Sequence, residues 1–126
     1  MQSPLGPLVS TTPFGRILVL RTTGRRSGRQ RETPLSYTTD GETYVVIASD
    51  GGSPRDPDWY LNLKVEPDVE VEVRGQRVRV HAQTVRGDER ERLWQQAVRS
   101  YAGYAGYQAR TGRQIPVVRL SPTHDT

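Results

Sequence analysis

Val69-Glu-Val-Glu-Val-Arg74, Gly75-Gln76 and Arg77-Val-Arg-Val-His-Ala82 together restrict the fold more than any other stretch of this chain. Apolar and polar residues alternate strictly on both arms, the period of a strand with one dry and one wet face. A helix would scatter the same valines around its circumference. Gly75-Gln76 reads as the turn between the arms. A two-stranded ribbon cannot bury its valine face alone, so it must belong to a larger sheet.

The rest of the chain supplies that sheet. Arg16 to Thr23 is largely apolar and β-branched and reads as a first strand. Glu32 to Thr39 reads as a second, and Asp40-Gly41 signals a tight hairpin into a third, Glu42 to Ala48. The unbroken apolar run Tyr44-Val-Val-Ile-Ala48 implies burial on both faces of that strand. Pro116 to Leu120 is the last strand. Ser49 to Pro57 is too rich in Gly and Pro for a regular element.

Asp56-Pro57-Asp58 reads as an N-cap with proline at the first helical position, opening a short helix to Lys64 that Pro67 terminates. A longer helix runs from about Asp88 to Tyr101, with Leu93, Trp94, Ala97, Val98 and Tyr101 on its inner face. The expected architecture is α+β, mainly β: an antiparallel barrel with two or three short helices. Residues 1–15, broken by Pro4, Pro7 and Pro13, are expected to be an irregular arm. Residues 16–122 are the expected domain. Residues 123–126 are expected to be a disordered tail, with fraying from Ser121.

The totals exclude several kinds of chemistry. There is no cysteine, hence no disulfide and no thiolate. His81 and His124 are the only imidazoles, too few for a usual zinc site, so no metal is expected. No segment reaches the ~18–20 apolar residues of a membrane span, and a cytoplasmic protein is the default. The net charge of +4, with pI near 9.8, favours anionic partners without choosing among them.

Three constellations remain for function. The first is Thr22-Thr-Gly-Arg-Arg-Ser-Gly-Arg-Gln-Arg31, with Arg25, Arg26, Arg29 and Arg31 and no acidic residue. Guanidinium binds phosphate and carboxylate through paired, charge-assisted hydrogen bonds, and glycines let a backbone come close to a ligand. A solvated basic turn is the plainer alternative, and a nucleic-acid patch another. The latter calls for aromatics interleaved with the arginines, and residues 21–31 contain none. The second is Ala48-Ser49-Asp50-Gly51-Gly52 at the end of a buried strand, where small residues admit a flat ligand and Ser49 can donate to it. The third is Tyr101-Ala-Gly-Tyr104-Ala-Gly-Tyr107, whose spacing puts three phenols on one side of a helix or of successive turns. The last two also suit an ordinary loop and plain packing. Taken together, the three suit a cofactor that brings its own chemistry while the protein supplies position and electrostatics.

The combined pattern resembles the deazaflavin-dependent nitroreductases, the F420-dependent quinone reductases. Thr23-Gly-Arg-Arg-Ser-Gly28, Arg31, Pro34-Leu35, Val46-Ile-Ala-Ser49 and Gly51-Gly52 carry the first part of that likeness. Pro57-Asp-Trp-Tyr-Leu-Asn-Leu63, Pro67-Asp-Val-Glu-Val71, the three tyrosines with Gln108, Thr111-Gly-Arg113 and Ile115-Pro-Val-Val118 carry the rest. The resemblance implies a split β-barrel like that of FMN-binding flavin reductases. It also implies reduced F420 as hydride donor, in preference to FMN, and a quinone, enone or nitroaromatic as acceptor.

By the same likeness, Arg25, Arg26 and Arg31 hold the cofactor's anionic tail. Pro34, Ile47, Ala48, Ser49 and Asn62 border its ring, and Asp50 and Trp59 complete the cofactor-binding set. Ser49, Tyr101, Tyr104 and Tyr107 form the catalytic side, with Ser49 or Tyr104 donating to the developing oxyanion. Two residues depart from the family pattern: Asp50 stands where lysine is frequent, and Ser36 where a pocket aromatic is common. Membrane attachment through the short, proline-broken N-terminus is not expected, and either a monomer or a homodimer fits. The alternative on the same fold is a non-catalytic carrier of flavin, haem or another small ligand.

Overall fold

The computed structural model describes residues 16–123. The expected N-terminal arm, the last residues of the expected tail and His124 therefore lie outside the described residues. Six strands form a closed barrel: β1 (Arg16–Thr23), β2 (Gln30–Asp40), β3 (Thr43–Ile47), β4 (Asp68–Val73), β5 (Gln76–Thr84) and β6 (Val117–Pro122). Around the barrel the order is β1-β2-β3-β6-β5-β4, and every neighbouring pair is antiparallel. The closing contacts are β1 with β4, where Leu20 faces Val71, and β3 with β6, where Val46 faces Val118.

The alternating ribbon does what its period requires. Val71, Val73 and Val80 point into the barrel, while Glu70, Glu72, Arg77 and Arg79 pair across its outer face. Leu18, Leu20, Val46, Val118 and Leu120 fill the same interior, and α1 (Asp58–Val65) adds Trp59, Tyr60 and Leu63. A second core lies outside the barrel wall, where α2 (Gly87–Ser100) packs Leu93, Trp94 and Ala97 onto Val45, Ile47 and Val117. β3 is thus buried on both faces, because barrel interior and helix claim alternate residues of one apolar run. A third helix, α3 (Gly103–Arg110), follows α2 after a break at Tyr101 and Ala102.

Several local expectations are corrected. Both hairpin turns sit one residue from where the dipeptides put them: Gly41-Glu42 rather than Asp40-Gly41, and Arg74-Gly75 rather than Gly75-Gln76. Asp40 is held in the ladder opposite Thr43, and Arg74 and Gly75 both take positive φ (54° and 78°), as a tight hairpin turn requires. Asp56 does not cap α1, whose N-cap is Pro57 without a side-chain bond, because Arg113 takes the Asp56 carboxylate at 2.8 Å. Asp50–Gly52 forms a short 3-10 turn inside the expected irregular segment. β6 continues through Ser121 to Pro122, which pairs with Val80, and the Thr123 N–H donates to the Arg79 carbonyl at 2.9 Å. Pairing with β5, and not local propensity, orders that end.

Candidate active site

The β1–β2 connection folds the basic run into a cradle. The Gly24 N–H donates to the Arg29 carbonyl and the Gly28 N–H to the Gly24 carbonyl, each at 2.8 Å. Gly28 is in the left-handed region (φ 72°), and a β-carbon at Gly24 would lie 2.6 Å from Ser27 Oγ, so that hydroxyl would have to turn away. The loop is pinned to α1 through Asn62, whose Oδ1 accepts from the Arg25 backbone N–H (3.1 Å) and guanidinium (2.9 Å). Arg25 also reaches Asp58 at 3.3 Å.

A cavity of about 300 Å³ opens between loop and helix, lined by Arg25, Arg26, Arg31, Trp59 and Asn62 among others. Among the described residues, neither Arg26 nor Arg31 makes an ion pair. Glu32 and Asp58 also line this cavity, but they pair with Arg21 (3.4 Å) and Arg25 (3.3 Å), which leaves Arg26 and Arg31 as the surplus positive charge. Thr22, almost fully buried at its edge, leaves its hydroxyl without a hydrogen-bond partner among the described residues. The arrangement suits a ligand with phosphate or carboxylate groups.

A second cavity, of about 370 Å³, adjoins the first, and Thr33 and Trp59 border both. Pro34 and Ser36 of β2, Ile47 at the end of β3, and Ser49 and Asp50 form one side of it. Tyr101, Tyr104 and Tyr107 form the other. The tyrosine rings stack edge to face, Tyr101 against Tyr104 at 5.1 Å and 88°, and the hydroxyls of Tyr101 and Tyr107 lie 3.0 Å apart. A β-carbon on Gly103 would run into the Tyr101 ring, so glycine there is what lets the ring lie over the start of α3.

Burial pushes the Tyr104 phenol up to about 12, helped by the neighbouring phenols of Tyr101 and Tyr107, while a hydrogen bond with Ser36 acts in the opposite direction. Tyr101 is also raised, first by its hydrogen bond with Tyr107. Near neutral pH these two phenols stay protonated, able to donate a hydrogen bond to a nascent oxyanion.

Of the residues singled out in the sequence, Arg25, Arg26, Arg31 and Asn62 line the first cavity, and Trp59 lines both. Pro34, Ile47, Ser49, Asp50 and the tyrosines line the second. Ala48 stands apart: its side chain is wholly buried in the barrel core and lines neither cavity. Asn62 holds the arginine loop through its carbonyl oxygen, a role the sequence did not suggest. Leu35, Gly51 and Pro57 also line the second cavity; the sequence showed them within its motifs but gave Leu35 and Pro57 no role, and Thr33 was missed. Position next to Pro34 was the one available signal for Thr33. Arg113 was visible in the sequence only as part of a motif, with nothing to say what it touches.

Fold and site define a class: a split-barrel protein with an arginine cradle beside a tyrosine-walled cavity, a shape and charge that suit a flat ligand with an anionic tail. The model of the F420H(2)-dependent quinone reductase family matches residues 2–122. An F420H(2)-dependent quinone reductase of Mycobacterium tuberculosis is 46% identical over 107 residues, 82% of this chain and 72% of that protein. A solved F420-H2 dependent reductase superposes with a TM-score of 0.76 at 39% identity, over 83% of this chain and 93% of the other. A structure described as a domain-swapped dimer gives a TM-score of 0.77, also at 39% identity, over 83% and 79% of the two chains. The haem storage protein HutZ of Vibrio cholerae (TM-score 0.61, 19% identity, 94% and 90% covered) shares the fold alone. The chain belongs to the F420H(2)-dependent quinone reductase family, and the family's hydride donor is reduced F420.

Proposed function

We propose that this chain binds reduced F420 across the two cavities and passes its hydride to a quinone, enone or nitroaromatic held against the tyrosines. One observation carries the reading: an arginine cradle in which Arg26 and Arg31 make no ion pair among the described residues meets a phenol-lined cavity at Thr33 and Trp59. The residues fit the cofactor. Arg25, Arg26 and Arg31 suit its phosphate and carboxylate tail, and Pro34, Ile47 and Trp59 suit a flat ring. When bound, reduced F420 supplies the hydride.

The chain's own residues do the rest. The cradle anchors the tail, and Trp59 and Pro34 orient the ring side of the site. The Ser49 hydroxyl and the protonated Tyr104 phenol donate to the acceptor oxygen as negative charge develops there. The tyrosines also exclude water, which strengthens those hydrogen bonds. The proton that completes reduction comes from a phenol or from water, which is regenerated by exchange with solvent. Ser36, which hydrogen-bonds with Tyr104, puts a small side chain on the cavity wall and so suits a broad acceptor. Likeness to a structure described as a domain-swapped dimer supports a homodimer, which light scattering of the purified protein checks.

The test is a fluorescence titration with F420 and then FMN, on wild type and Arg31→Ala. The expected result is micromolar F420 binding that exceeds FMN binding and is weakened about 10–100-fold in the variant, the loss of one charge-assisted contact. Oxidation of reduced F420 by menadione, a cyclic enone and a nitroaromatic then ranks the acceptors. Equal binding of FMN, or none of F420, would sink the reading.

A further inference from the structure

The Arg113 side chain lies in the arc formed by residues 48–56. Its Nη1 donates to the Ala48 carbonyl (3.2 Å) and to Asp56 Oδ1 (2.8 Å), its Nη2 to the Ser49 carbonyl (2.9 Å), and its Nε to the Ser53 carbonyl (3.0 Å). Three backbone carbonyls and one carboxylate thus converge on one guanidinium. Asp50, Gly51 and Gly52 all take positive φ (45°, 64° and 85°), which bends the chain sharply beyond the end of β3. The Ser49 carbonyl also accepts from the Gly52 N–H at 2.9 Å, and the guanidinium fork ties that turn to the carbonyls of Ala48 and Ser53 on either side of it.

The backbone of Arg113 is tied in turn to the tyrosine helix. Gln108 of α3 donates to the Arg113 carbonyl at 2.7 Å and accepts from the Ile115 N–H at 3.0 Å. Gly52 presses on the same helix from the loop side, since a β-carbon there would lie 2.8 Å from the Tyr107 carbonyl oxygen. Loop and helix, the opposing walls of the second cavity, are therefore joined through Arg113 and Gln108.

We infer that Arg113 is a positioning residue: it sets the Ser49 hydroxyl against the tyrosines and makes the two walls move as one body. It touches neither the arginine cradle nor the first cavity. Its effect therefore falls on turnover rather than on anchoring of the anionic tail. The inference rests on the proposed reductase reading for its kinetic consequence, but its structural half stands without it.

The test uses Arg113→Lys, which keeps the charge beside Asp56 and loses the fork, together with Ser49→Ala and the double variant. In Arg113→Lys the expected result is F420 affinity within about 2-fold of wild type and kcat with menadione reduced about 10–100-fold. The double variant is expected to be no slower than Ser49→Ala alone, because the arginine acts through Ser49. Hydrogen exchange of the free protein gives a readout independent of turnover. Amides of 48–53 and of 103–110 should exchange faster together in Arg113→Lys, with 24–31 unchanged. Wild-type turnover in Arg113→Lys, additive losses in the double variant, or loop exchange that rises while the helix stays protected would each overturn the inference. If the wild type turns over no F420 at all, the reductase reading fails, and the exchange result alone decides whether the walls are joined.

Discussion

At the residue scale, the site depends on polar groups kept in the protonation state its chemistry needs. Tyr104 is the clearest case, because burial raises its phenol to about 12 and leaves a neutral donor facing the cavity. Turnover is therefore expected to show no loss attributable to this phenol between about pH 7 and pH 9, still below an ordinary tyrosine pKa. Tyr104→Phe should lower kcat about 10–100-fold with little change in F420 affinity, as removal of one oxyanion donor does. The sign for stability follows from the raised value: the contribution is full below the unfolded pKa of 10.0 and is lost as pH rises toward about 12. Denaturant melts across that alkaline range should show wild type losing stability faster than Tyr104→Phe.

At the element scale, a few long-range contacts hold helices and loops in place on the barrel. Gly52 combines a left-handed φ of 85° with direct contact to the Tyr107 backbone of α3, so Gly52→Ala is both strained and obstructed. The expected cost is about 2–4 kcal/mol, with a matching drop in Tm by calorimetry. Asp40 fastens the end of β2 to α2 and β6, accepting from Arg92 at 3.0 and 3.1 Å and pairing with Arg119 at 3.0 Å. Those guanidinium hydrogen bonds, Arg92 first and Arg119 second, hold its carboxyl down at about 2, against an ordinary value of 3.8. A depressed pKa gives stability that is present above 3.8 and is lost as pH falls through about 2. Asp40→Asn should cost about 1 kcal/mol at pH 7 after allowance for solvent screening, and nearly nothing once the wild-type carboxyl is protonated. Urea melts at pH 7 and pH 2 check the difference.

At the scale of the whole molecule, one barrel interior carries the stability on which both cavities depend. Leu120 is fully buried there, on the strand that closes β3 to β5. Leu120→Ala should cost about 2–5 kcal/mol, the usual range for a deleted core leucine. If the barrel is the common scaffold, cradle and tyrosine cavity should be lost in one transition. Tryptophan fluorescence and F420 binding would then report the same midpoint, and a separate early loss of binding would show that the cradle unfolds on its own.

Much of this was legible in the sequence because it is local. Strand period, the doubly buried run at Val45–Ile47, the spacing of Tyr101, Tyr104 and Tyr107, and the crowding of arginine between β1 and β2 depend only on neighbours along the chain. Turn positions were read one residue off, because the inward set of valines and the use of Asp40 by Arg92 and Arg119 fix the register instead of the most turn-prone dipeptide. What only the tertiary structure decided is non-local. Ala48 went into the core, Asp56 left its helix for Arg113, and Asn62 turned to the loop carrying Arg25. Arg113 itself meets Ser53, Ala48, Ser49 and Asp56 across 57 to 65 residues of chain. A guanidinium fork could serve many carbonyls equally well by chemistry. Barrel closure chooses among them, because it decides which carbonyls are cut off from water and from the sheet ladders and so must find that fork.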